Sequence, residues 1–132
     1  MSKTVSPTKT AMRLAVLSII AEHRDQAHLI LRHHLVGKVA IRLGLTPLPA
    51  SKVVWLDRLV RRTTEWLRAN HPVGARIVST QDKRGGYWLE EDDEEVEKHI
   101  RTEKARALTI LDNIRSRERL LKFQNPDQLK LL

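Results

Sequence analysis

Apolar residues recur along this chain with changing rhythm, and each rhythm predicts an element. Ala11, Leu14, Ala15, Ser18 and Ile19 share one face at helical spacing, with Leu17 and Ile20 widening it. Ser6-Pro7 just ahead has the form of an N-cap followed by proline at the first helical position, and the helix is expected to end near Glu22–Arg24. Leu29-Ile30-Leu31 is a short apolar run suited to a third strand beside a later hairpin. Leu35, Val39 and Leu43 then repeat every four residues on a second helix, and Gly44 stands where a C′ glycine stops it. The segment Thr46–Ser51 carries two prolines and is expected to be no regular helix. Beyond it Leu56, Leu59, Val60, Thr63 and Leu67 form a stripe, while Arg58, Arg61, Arg62, Glu65 and Arg68 face elsewhere. Ser51 and Asp57 are both candidates to cap this third helix, which Asn70-His71-Pro72 ends. Ala75–Thr80 alternates and is β-branched, Gln81–Gly86 has turn chemistry, and Tyr87-Trp88-Leu89 returns as a strand.

From Asp92 onward the pattern is one long helix. Asp92 with Glu95 three residues later resembles a capping box, and the acidic run Glu90–Glu95 suits the positive end of a helix dipole. Val96, Ile100, Ala107, Ile110, Ile114 and Leu121 keep a 4-3 spacing, interrupted at matching positions by Glu103 and Arg117. Leu108 and Leu111 add a neighbouring stripe. Such a helix either lies on its own domain or forms an imperfect coiled coil, in which Glu103 and Arg117 pair across two antiparallel copies.

The fold class expected from this order is mainly α with a small β-hairpin: a winged helix-turn-helix followed by a long C-terminal helix. Three segments follow, with the helix-turn-helix at 1–91, the long helix at 92–123 and a flexible tail at 124–132. Charge sharpens the picture. Residues 1–88 hold 15 Lys and Arg against 5 Asp and Glu, whereas residues 89–132 hold 9 against 11. The excess of positive charge therefore lies with the motif and not with the tail, as expected of a face that attracts a polyphosphate. In a winged helix the second motif helix enters the major groove and the wing reaches the backbone or the minor groove. The expected DNA contacts are Arg58, Arg61, Arg62 and Arg68 on the helix, with Lys83 and Arg84 at the hairpin tip. Arginine suits bidentate contact with guanine or phosphate, and the glycines beside Arg84 let the backbone approach closely. Trp66 and Trp88 are expected in the core, and Trp55 is left open.

The runs DRLVRRTTEWLR, ARIVST and RGGYWLEEDDEEVEKHI, followed by RALTILDNIRSRERLLK, resemble winged-helix DNA-binding proteins of bacteriophages and prophages. The resemblance covers about residues 30–121 and implies binding of double-stranded DNA in phage replication or gene control, within the cytoplasm of a bacterial host. The chain departs from that pattern by inserting Thr46–Leu56 between the two motif helices, where a standard turn has three or four residues.

Other chemistries find less support. There are no cysteines, hence no thiolate zinc site and no disulfide framework, which fits an intracellular protein. His23, His28, His33 and His34 crowd together, but steps of five do not stack on a helix face, and no metal or other cofactor is expected. The sequence contains no Gly-rich phosphate loop and no nucleophile-base pairing, so no enzymatic activity is expected. The apolar patch at Leu14–Ala21 is too short to span a membrane. Besides DNA, and an alternative in which the long helix binds a host factor, two partners are suggested. One is a second copy of the chain through Val96–Leu121. The other is the bacterial sliding clamp, because the terminal Gln128-Leu129-Lys130-Leu131-Leu132 resembles a clamp-docking peptide. There Gln128 would hydrogen-bond at a pocket edge while Leu129, Leu131 and Leu132 fill apolar pockets.

Overall fold

The computed structural model describes residues 7–80 and 85–123. Among these residues four α-helices and a small three-stranded antiparallel sheet follow one another. The order is α1 (Lys9–Ile20), β1 (Ile30–Leu31), α2 (Arg32–Arg42), α3 (Ala50–Asn70), β2 (Ile77–Ser79), β3 (Gly86–Leu89) and the long α4 (Asp93–Lys122). The chain divides into two compact units, Met1–Val96 and Glu97–Leu132.

The first unit is built on one core. Thr8 caps α1, its hydroxyl accepting from the Ala11 N–H at 3.1 Å. The cap therefore falls two residues later than Ser6, which lies outside the described residues. The buried face of α1 is also turned from the expected one: Met12, Ala15, Val16, Ile19 and Ile20 are inside, and Leu14 is 68% exposed. Met12 and Val16 take the inside places expected of Ala11, Leu14 and Ser18, because α2 and α3 pack on that side. Against it pack Leu35 and Val39 of α2, and Leu56, Val60 and Leu67 of α3. Among the described residues the one buried polar residue, Thr64, donates to the Val60 carbonyl at 2.8 Å, so its burial leaves its own hydroxyl satisfied.

The sheet closes the other side of this core. β3 lies in the middle, with Ile30 opposite Tyr87 on β1 and with Ile77, Val78 and Ser79 opposite Leu89, Trp88 and Tyr87 on β2. Ile30-Leu31, the last two residues of that apolar run, thus supply the expected third strand. The strand expected at Ala75–Thr80 is shorter, because Gly74–Arg76 forms a turn of 3-10 helix first. At Gly74 an added Cβ would collide with the Leu67 carbonyl, so the chain passes the end of α3 at a distance only glycine permits.

Gly44 follows α2 at φ +70°, as its sequence position implies. The connection to α3 differs from expectation. Only Leu43–Pro49 separates the two helices, and residues 50–56 are the first two turns of α3. Neither Ser51 nor Asp57 caps it; Pro49 holds that position, with no side-chain cap hydrogen bond. Proline is tolerated there because its fixed φ suits a helix start and its missing N–H would have had no helical partner. The supposed insertion at Thr46–Leu56 is therefore mostly helix.

At the start of α4 the Asp92 carboxylate accepts from the Glu94 N–H at 2.9 Å, as an N-cap does. The second half of the capping box does not form as expected, since the Asp92 N–H donates to Glu90 at 3.3 Å instead of to Glu95. No residue of α4 is buried.

Candidate nucleic-acid interface

With Leu56, Val60, Thr64 and Leu67 turned inward, helical geometry sends a fixed set of α3 residues outward. Ser51, Val54, Trp55, Arg58, Arg61, Arg62 and Glu65 are all exposed along that side. Three of the expected DNA-contacting arginines, Arg58, Arg61 and Arg62, are thus brought together. Arg68 is not among them. Its side chain is 20% exposed and lies 3.6 Å from the Glu65 carboxylate, because it falls on the helix edge beside the core. Lys83 and Arg84 lie outside the described residues, as do Gln128, Leu129, Leu131 and Leu132.

The electrostatics of this face are set by Asp57. Its carboxylate is 3.4 Å from Arg32 and 4.0 Å from Arg61, so one negative charge is shared by two guanidinium groups. Arg58 and Arg62 have no ion-pair partner among the described residues. Set against Asp57 and Glu65, the four arginines keep a surplus of positive charge on this face, and Arg58 and Arg62 present planar donors to an anion.

Beside the arginines lies an open cleft of about 470 Å³. Arg32, Arg61, Arg62 and Glu65 line it from the helices, and Ser79, Gly86 and Tyr87 from the sheet. Arg32 reaches it because the first residue of α2 is tied to the hairpin: its N–H donates to the Gly85 carbonyl at 2.9 Å. Burial pushes the Tyr87 hydroxyl above its ordinary pKa, with Arg32 opposing the shift, so the cleft wall offers a neutral hydroxyl.

A second basic edge lies toward α1. The Arg13 guanidinium sits 3.4 Å from the centre of the Trp66 ring, a cation–π contact on the surface. Trp66 is 37% exposed and so is not a core residue as expected, whereas Trp88 is buried and its indole N–H donates to Glu90 at 2.9 Å. At the far end of α3, Val54 and Trp55 leave apolar surface open next to Arg58.

Sequence reasoning missed several of these residues. Ser51, Val54 and Trp55 continue backwards from Arg58 at helical spacing and were legible in principle; the two prolines masked them. Arg13 and Arg32 carry no local signal, since only packing brings them beside α3.

Among the described residues no three His, Asp or Glu side chains are placed to hold a metal ion. Two of the crowded histidines have local partners: His23 donates through Nδ1 to the His28 carbonyl at 2.7 Å, and His28 is hydrogen-bonded to Asp25. Among those residues, too, no helix is long and apolar enough to cross a membrane. Comparison of the chain with protein-family models, with curated proteins and with solved structures returns no match.

Proposed function

We propose that the first unit is a winged helix-turn-helix module that binds double-stranded DNA, with α3 in the major groove. The single observation that carries this reading is the outward face of α3. It sets Arg58, Arg61 and Arg62 in one line with Ser51, Val54 and Trp55, on a helix whose opposite side is locked into the core. Two features support it. The elements run helix, strand, helix, helix, strand, strand, with β3 central in the sheet, which is the arrangement a winged helix requires. The region up to residue 88 also holds the chain's excess of positive charge.

In this reading the first turns of α3 approach the bases, as the N-terminal part of a recognition helix does. Arg58 offers a bidentate donor to guanine, and Val54 an apolar contact for a thymine methyl. Arg61, Arg62 and Arg32 face the cleft and hold backbone phosphate, which positions the helix without reading sequence. The role we infer is control of replication or transcription in phage or prophage DNA, following the family resemblance. Mapping bound fragments on the source genome separates promoters from origins.

The test is affinity for duplex DNA measured across salt concentrations. Replacing Arg61 and Arg62 together by alanine should weaken binding roughly tenfold or more and flatten the salt dependence by about two phosphate contacts. Unchanged affinity with unchanged salt slope would sink the proposal.

A further inference from the structure

We propose that α4 pairs with α4 of a second copy of this chain, antiparallel, in a single register. This does not rest on DNA binding. Ile100, Ile110, Ile114 and Leu121 are all exposed, from 43% to 65%, and with Val96 and Ala107 they line one face of the helix. Among the described residues none of α4 is buried.

Two observations identify the occupant as another α4. The first is charge. The first turn of α4 is acidic (Asp93, Glu94, Glu95) and the last is basic (Arg119, Lys122), so antiparallel copies bring opposite charges together at both ends. The opposed helix dipoles of an antiparallel pair add to the same preference. The second is self-complementarity, which a two-fold pairing demands. In one antiparallel register every seam residue meets another seam residue. Val96 faces the partner's Leu121, Ile100 the partner's Arg117, Glu103 the partner's Ile114 and Ala107 the partner's Ile110. The two charged seam residues then lie in adjacent layers, Glu103 about 4.5 Å along the axis from the partner's Arg117, within reach of an ion pair. A parallel pair would set Glu103 against Glu103 and Arg117 against Arg117, two like-charge layers.

The test uses the full chain, whose lack of cysteine makes engineered disulfides unambiguous. Sedimentation should show a dimer at micromolar concentration. E103R should raise its dissociation constant about tenfold, two ion pairs being lost, and E103R combined with R117E should restore it. A mixture of the Val96→Cys and Leu121→Cys variants should oxidise to a cross-linked dimer. Leu121→Cys alone should not, its two sulfurs being about 37 Å apart in this register. A protein that stays monomeric at about 100 micromolar, a cross-link from Leu121→Cys alone, or no rescue by the double charge exchange would each overturn the proposal.

Discussion

α3 and α4 are both amphipathic, yet they spend their apolar faces differently. In α3 the stripe Leu56, Val60 and Leu67 is buried within the first unit, and what remains outside is charged and polar with a few apolar residues near its start. In α4 the stripe itself is outside. The lesson is that the same pattern carries opposite messages. Where the core consumes the stripe, function is read from the residues left over; where nothing consumes it, the stripe is the signal.

The largest expected effect tests that contrast directly. Leu56→Ala empties a fully buried site in α3 and should destabilise the first unit by about 2–5 kcal/mol in urea unfolding. Ile110→Ala, an equally apolar truncation in α4, should leave unfolding of the dilute protein nearly unchanged. If the two variants lost similar stability at low concentration, the distinction between the helices would fail.

A smaller effect concerns the surface of α3. Removing the guanidinium that covers Trp66, by Arg13→Ala, should cost about 0.5–1 kcal/mol and change the tryptophan fluorescence. An unaltered spectrum would mean that the ring and the cation do not stay in contact.

The smallest is a pH effect away from both helices. Asp25 accepts hydrogen bonds from the His28 ring and backbone N–H, which hold its carboxyl below the ordinary value of about 4. A depressed folded pKa means that this contact contributes stability above the unfolded value and loses it as pH falls through the folded one. Since Asp25 is solvent-exposed the contribution is small, and the sharper measurement is its NMR titration. A midpoint at or above the ordinary value would contradict the geometry.

Much of this fold was legible from local signals. Gly44, the Asn70-His71-Pro72 stop and the Leu29–Leu31 strand stand where composition puts them, because each depends on a neighbour or two along the chain. The start of α3 was not legible: Pro47 and Pro49 read as breakers, and no side chain caps the helix to announce it. The rotation of α1 escaped as well, because the two candidate faces share Ala15, Ile19 and Ile20 and only packing chooses between them. Of the candidate site, Arg58, Arg61 and Arg62 followed from periodicity. Arg32 came into view only once α2 was seen tied to the hairpin, and Arg68 left it because a residue beside the stripe can fall on either side.

Asp57 gives the arginine cluster a consequence of its own. If α3 binds DNA as proposed, a carboxylate between two guanidinium groups works against every duplex equally, whatever its sequence. For a DNA-binding protein that is a gain in discrimination. Trimming the attraction common to all sites leaves a larger share of the affinity to contacts that differ between them, and shortens the time lost on the wrong ones.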